Sequence, residues 1–254
     1  MLQKLLKSGG FKSIKKIGFI VPSSNTVLEP VTSLMAVQLA HRVSVHYARL
    51  RVTSITLDNQ DVGQFKQEKM LDAARLLSDA GVDAIVWNGT SAGWSGEGFQ
   101  ADQKICEAIE RELGIPASTT TLAQKEAFDA LGISTYSLAV PYVAGPTDSM
   151  LKTYAKEGYD GLSSAKLDLS VNAEIGQVPF GVIRQLILDS DAPDAQSIMI
   201  GCTNLAGALW VDELEKELGK PIFDSVLVTF WKALRMVGIT EDVQGWGELL
   251  RSGK

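Results

Sequence analysis

Short apolar runs alternate along the chain with segments in which apolar side chains recur every three to four residues. The first run, residues 17–21, is closed by Pro22. A helix follows from near Asn25 and carries Val27, Leu28 and Leu34 toward Leu39. Residues 42–50 alternate as a strand does, and residues 65–80 place Met70, Leu71, Ala74, Leu77 and Ala80 on one helical stripe. Residues 82–87 are apolar except for Asp83, the pattern of a strand covered on both faces. Residues 101–113 read as a helix, with Gly114 as its C-cap and Pro116 beyond. The second part repeats the plan. It predicts helices at 122–131, 147–158, 178–190, 206–218 and 225–237, and strands at 134–140, 166–171, 197–200 and 221–223. Such alternation implies an α/β protein with parallel sheets and helices on their faces.

Two local echoes are compatible with an internal duplication, though short echoes also arise by chance. Residues 19–25 (FIVPSSN) resemble residues 138–144 (LAVPYVA): a strand, then Val-Pro, then small or polar residues. Residues 84–93 (AIVWNGTSAG) resemble residues 197–207 (SIMIGCTNLAG): a strand, a small polar turn, then a helix start. The echoes keep their order, with Pro22 answering Pro141 and Thr90 answering Thr203. Two similar halves facing each other would place both echo motifs at the carboxyl ends of their strands, where open α/β sheets bind ligands.

Composition narrows the function classes. With 254 residues, 45% hydrophobic and 21% charged, the chain can bury a sizeable core in one large domain or two small ones. A net charge of −6 argues against nucleic-acid or anionic-membrane partners, which need a basic footprint. No apolar run approaches the roughly 18 residues of a membrane span. The basic N-terminus lacks the apolar core and cleavage site of a signal peptide, and residues 1–7 read as a short amphipathic turn or a loose end. Two cysteines exclude a disulfide scaffold, and a cytoplasmic protein with reduced thiols is the expectation.

The chemistry concentrates at the strand ends. Cys202 sits in the turn Gly201-Cys202-Thr203-Asn204, between a strand and a helix. A helix N-terminus presents unpaired N–H groups and a partial positive charge, which lower a thiol's pKa and attract anions. The alternative is a small apolar residue filling a strand end. Cys106 lies at the border of a buried helical stripe beside Glu107 and Glu110, which would raise its pKa, and reads as packing. The turn Gly89-Thr90-Ser91-Ala92-Gly93 could cradle an anion with N–H groups and two hydroxyls. It has neither the spacing nor the lysine of a P-loop. Asn25 is either an N-cap or a ligand contact. Tyr142 is either a core tyrosine or part of a site, and Asn172 stands just past a strand. Pro22 ends its strand and would line any pocket there. His41 and His46 have no metal-ligand partner nearby in sequence, and no metal motif or nucleophile elbow occurs.

Taken together, the strand followed by Val21-Pro22-Ser23-Ser24-Asn25-Thr26 and, three residues on, Glu29, the Gly89-Thr90-Ser91 turn, Pro141-Tyr142 and Gly201-Cys202-Thr203-Asn204-Leu205 resemble the aspartate/glutamate racemase superfamily. Its maleate isomerase and arylmalonate decarboxylase branches are the most similar. The resemblance spans about residues 15–240. It implies two Rossmann-like halves related by a pseudo-two-fold axis, here residues 1–116 with 226–254 and residues 117–225. It also implies a site between the halves, no cofactor and no metal, a small carboxylate substrate, and compatibility with a homo-oligomer. Cys202 matches the second-half cysteine of the racemases and the isomerase, whereas the first-half cysteine falls on Gly89.

A two-thiol racemase needs an acid and a base on opposite faces of a carbanion, and the isomerase uses its first-half thiol as a nucleophile. The decarboxylase branch resembles this chain in having one thiol. That likeness implies that Thr90, Ser91, Tyr142 and the N–H groups at Cys202 and Thr203 hold the retained carboxylate while Cys202 protonates an enediolate. Asn25 and Asn172 match carboxylate-binding positions of the isomerase branch, which points to a small dicarboxylate rather than an aryl acid. The first expectation is therefore a decarboxylase of malonate-type acids. The alternatives are an isomerase or racemase in which another group, Thr90 at best, replaces the missing thiol, and a carboxylate-binding protein without chemistry.

Overall fold

The computed structural model describes residues 13–95 and 98–251. The N-terminal segment 1–7 lies outside the described residues. The first half contains β1 (Lys15–Pro22), α1 (Leu28–Gln38), β2 (Val43–Leu50), α2 (Asn59–Val62), a 3-10 turn at Gly63–Phe65, α3 (Gln67–Asp79), β3 (Ala84–Trp87), α4 (Ser91–Trp94), α5 (Phe99–Leu113) and β4 (Ala117–Thr119). The second contains α6 (Thr120–Leu131), β5 (Thr135–Tyr142), α7 (Ala144–Ala155), β6 (Asp160–Leu169), α8 (Asn172–Ile175), α9 (Phe180–Ser190) and β7 (Ser197–Ile200). A 3-10 helix at Ala206–Trp210, α10 (Val211–Leu218), β8 (Ile222–Asp224) and α11 (Ser225–Met236) complete it. Among the described residues no helix is long and apolar enough to cross a membrane.

Each half is a four-stranded parallel sheet, ordered β2-β1-β3-β4 in the first and β6-β5-β7-β8 in the second. The identical order bears out the expected pair of α/β halves. The likeness extends to detail. α5 ends in Glu112-Leu113-Gly114-Ile115-Pro116 and α10 in Glu217-Leu218-Gly219-Lys220-Pro221. Both glycines take a left-handed φ, 67° and 68°, that closes the helix and turns the chain into the next strand. In register, Trp87 pairs with Thr119 as Ile200 pairs with Asp224. One residue further on, Thr120 Oγ1 donates to the Trp87 carbonyl at 3.3 Å and Ser225 Oγ to the Ile200 carbonyl at 2.7 Å. Gly89 and Cys202, each two residues past those carbonyls, are therefore equivalent positions.

The sheet of the first half buries both faces, because its strand residues alternate. Ile17, Phe19, Val21, Ala84 and Val86 join the larger core shared with the second half. Ile20, Ile85 and Trp87 join a smaller core under α3 and α5, with Met70, Leu71, Leu77, Ile105 and Ile109. The helices that follow β4 and β8 pack against elements of both halves. Ala127 and Phe128 of α6 pack in the core with Tyr136, Tyr154 and Phe223 of the second half, while α11 packs on α1, β3 and β4 as well as on α6. The Thr120 and Thr229 hydroxyls meet at 2.7 Å where α6 and α11 touch.

Several boundaries differ from the sequence reading, among them the helix expected at 147–158, which forms over Ala144–Ala155. β4, a strand the sequence pattern does not mark, pairs with β3. The strand expected at 166–171 instead spans Asp160–Leu169. It is an edge strand whose side chains alternate between exposed and half-buried, so its polar content disguised it.

Candidate active site

The carboxyl ends of β1, β3, β5 and β7 meet around a cavity of about 20 Å³, room for roughly one water. Pro22, Gly89, Thr90, Ser91, Tyr142, Asn172, Cys202 and Thr203, all singled out in the sequence, line it. Asn25 does not. Its Oδ1 accepts from the N–H groups of Val27 and Leu28, both at 2.9 Å, and caps α1. Its Nδ2 reaches across the halves to Thr203 Oγ1 at 3.2 Å. Asn25 thus fixes a cavity residue from behind. Asn172 is tied in the same way, with Nδ2 donating to Ser24 Oγ at 2.8 Å. Asn204 completes the seam: Oδ1 accepts from Thr26 N at 3.0 Å and Nδ2 donates to the Asn172 carbonyl at 2.6 Å. These buried amides are short, directional links that hold the two strand-end turns in register.

The turn after β7 corrects one expectation. The helical segment beyond Cys202 begins only at Ala206, as a 3-10 helix, so the thiol is not at an α-helix N-terminus. The pKa of Cys202 is not lowered but pushed up to about 11, chiefly because the side chain is buried. The Tyr142 hydroxyl and the N–H groups of Asn204 and Leu205 favour the thiolate without offsetting that burial, and the nearby Asp224 opposes it. Asn204 N approaches Sγ at 3.4 Å. At neutral pH the group is a thiol with thiolate-stabilising donors already in place. That arrangement suits a proton donor.

Burial and the neighbouring Cys202 likewise push the Tyr142 hydroxyl well above its usual pKa, so it remains a donor. It shares a 3.2 Å hydrogen bond with Thr90 Oγ1. Only one of the pair's two hydroxyl hydrogens lies between them, which leaves the other for the Cys202 sulfur or for a ligand. Ser91 Oγ accepts from Trp87 Nε1 at 3.2 Å and keeps its own hydrogen to donate. Thr90, Ser91 and Tyr142 therefore form a small cluster of hydroxyl donors beside the thiol.

The remaining wall has no counterpart in the sequence reading. Val52, Ile55, Phe65, Trp87 and Trp94 line the cavity. Phe65 meets Trp94 edge-on at 5.5 Å, and Trp94 lies 6.3 Å from Tyr142. Ile55 and Phe65 come from the stretch between β2 and α3; Phe65, read in the sequence as the start of the helix over 65–80, instead ends the 3-10 turn ahead of α3. Part of that stretch is held by the Ser54–Val171 bridge and by Ile55 N on the Ser170 carbonyl at 2.8 Å. Cys106 lies apart, packed in α5, with its pKa raised by burial and then by Asp102 and Glu110.

Comparison with known proteins agrees with this architecture. An arylmalonate decarboxylase from Bordetella bronchiseptica is 26% identical over 174 residues, 67% of this chain and 72% of its own. A maleate isomerase from Geobacillus stearothermophilus is 24% identical over 251 residues, covering 94% and 98%. Among solved structures, a liganded double mutant of arylmalonate decarboxylase superposes with a TM-score of 0.83 at 22% identity, covering 94% of this chain and 99% of its own. A Nocardia farcinica maleate cis-trans isomerase with a covalently bound succinylcysteine intermediate gives 0.87 at 19% identity, with the same coverage. The profile of the arylmalonate decarboxylase family matches residues 17–250, nearly the whole length, and the chain belongs to that family.

Proposed function

We propose that the protein is a cofactor-independent decarboxylase of malonate-type acids in which Cys202 is the proton donor. The observation that carries this reading is a single thiol beside the hydroxyls of Thr90, Ser91 and Tyr142 in a cavity whose other side chains, Asn172 and Thr203 apart, are aromatic or aliphatic. One carboxylate of the substrate is held by Thr90, Ser91, Tyr142 and the N–H groups of the Cys202-Thr203 turn. The other faces the apolar wall of Val52, Ile55, Phe65 and Trp94, where an unpaired charge is costly. The bond from the α-carbon to that second carboxylate breaks and carbon dioxide leaves. The electron pair passes into the retained carboxylate as an enediolate, whose developing charge the hydroxyl donors stabilise. The Cys202 Sγ–H proton then goes to the α-carbon. The resulting thiolate is held by the Asn204 and Leu205 N–H groups until solvent returns a proton. A cavity of about 20 Å³ is too small for a malonate, so binding requires the cavity to widen. The aromatic wall favours an aryl or alkyl substituent over the small dicarboxylate expected from Asn25 and Asn172.

A maleate isomerase activity is the second reading, supported by the longer match to the Geobacillus relative, 94% of this chain against 67%. Glycine at position 89, where the family resemblance implies a nucleophilic thiol, weighs against it. Purified protein incubated with aryl- and alkylmalonates, and separately with maleate, separates the two. Carbon dioxide release from a malonate supports the first reading, and fumarate formation without carbon dioxide supports the second.

A further inference from the structure

Gly89 is not a glycine because of its backbone, since its φ is not among the left-handed ones. It is a glycine because its side-chain space is taken. A Cβ placed there would lie 2.3 Å from Trp87 Cζ2, 2.5 Å from Cε2 and 2.9 Å from Cη2. All three are atoms of a rigid ring, and each contact is closer than carbon atoms tolerate. The indole cannot step aside easily. It is 1% exposed, its Nε1 donates to Ser91 Oγ, and its ring packs 6.1 Å from Phe65. In the second half the residue equivalent to Trp87 is Ile200, and Cys202 follows it with room for its thiol. The first half has an indole where the second has a short aliphatic chain, and the indole extends over the position that answers Cys202.

We propose that Trp87 is a specificity-determining residue: its indole occupies the volume of any side chain at position 89, so the wall opposite Cys202 is closed to a second acid or base. This rests on the reading of Cys202 as proton donor. It adds that the one-sidedness is imposed by packing in this chain and is not merely the lack of a cysteine. Proton delivery to the α-carbon then comes from the Cys202 side alone, and one enantiomer forms.

The test pairs two measurements on the variants Gly89→Ala, Gly89→Cys, Trp87→Val and the doubles. In thermal unfolding, Gly89→Ala alone lowers Tm by about 5 °C, as overpacking of a filled site does. In the Trp87→Val background the same substitution costs nothing. In the second measurement, single-enantiomer 2-phenylpropionate, the product expected from 2-methyl-2-phenylmalonate, is incubated in heavy water. The wild type and Gly89→Cys leave it unracemised, whereas Gly89→Cys with Trp87→Val raises α-deuterium exchange and racemisation by about tenfold or more. Additive Tm effects overturn the inference, as does racemisation by Gly89→Cys alone that matches the double variant. If the wild type decarboxylates no malonate yet the Tm coupling appears, the proposed reaction fails while the steric exclusion by Trp87 stands.

Discussion

Replacing Asp224 by asparagine is expected to make the protein more stable at pH 8 and to leave it nearly unchanged at pH 4. Asp224 ends β8 and caps α11, with Oδ1 accepting from Val226 N at 2.8 Å and Leu227 N at 3.3 Å. The carboxyl is wholly buried, and that burial outweighs its N–H partners and pushes its pKa from 3.8 up to about 7. The sign follows from the direction. Below about pH 4 the acid is protonated in both folded and unfolded chains, and its contribution is complete. Between pH 4 and 7 the unfolded chain ionises while the folded one holds its proton, so stability falls as pH rises. Above pH 7 both are ionised and the loss is constant. Each tenfold change in proton affinity is worth about 1.4 kcal/mol, so the loss is on the order of 4 kcal/mol. The amide introduced by Asp224→Asn keeps a cap acceptor and cannot ionise. Denaturant unfolding of both proteins from pH 4 to pH 8 gives a stability difference that grows in favour of the variant by several kcal/mol. Groups that Asp224 does not influence cancel in that difference, and Cys202, which it does influence, titrates above this pH range. A difference that stays flat within about 1 kcal/mol would refute the buried-carboxyl argument. Because the Asp224 charge opposes the Cys202 thiolate, the same variant lowers the thiol's pKa, readable by alkylation rate against pH.

Three further outcomes follow from the same geometry. Asn25→Ala removes the α1 cap and the inter-half bond to Thr203, which together stabilise by about 2 kcal/mol, read as a lower denaturant midpoint. Phe128→Ala empties a ring packed against Tyr136, Tyr154, Tyr159 and Phe223 and costs about 3–5 kcal/mol, with Phe128→Leu recovering much of it. The kcat/KM profile holds from neutral pH to about pH 10 and declines as the Cys202 thiol ionises near 11. A decline centred near 8.5, the value of a free thiol, would contradict the effect of burial.

Much of this is legible from the chain, for identifiable reasons. Helices α5 and α10 end where Gly114 and Gly219 stand, because the left-handed turn at a C-cap selects glycine. The strand ends before Pro22, Gly89 and Cys202 are marked by compact apolar runs, and they meet at the cavity. β4 is hidden because Ala117, Ser118 and Thr119 are three small residues with no apolar pattern; pairing with β3 makes them a strand. The aromatic wall is hidden because Phe65, which the periodicity assigns to the helix over 65–80, sits in the 3-10 turn ahead of α3 and reaches the cavity from there. Asn25 reads in sequence as a cap or a ligand contact. The structure shows the cap and a strut to Thr203, a pairing across 178 positions that no local pattern reveals. The direction of the Cys202 pKa differs from the sequence expectation because a turn read alone does not show its burial. Full enclosure dominates over three hydrogen-bond donors.

In the proposed reaction Cys202 alone delivers the proton. The direct measurement is the enantiomeric composition of the acid formed from 2-methyl-2-phenylmalonate in heavy water, by the wild type and by Cys202→Ala. One deuterated enantiomer is expected from the wild type, and from the variant a rate reduced by about 100-fold or more with loss of enantiomeric preference. The same enantiomer at an unchanged rate from Cys202→Ala would contradict it.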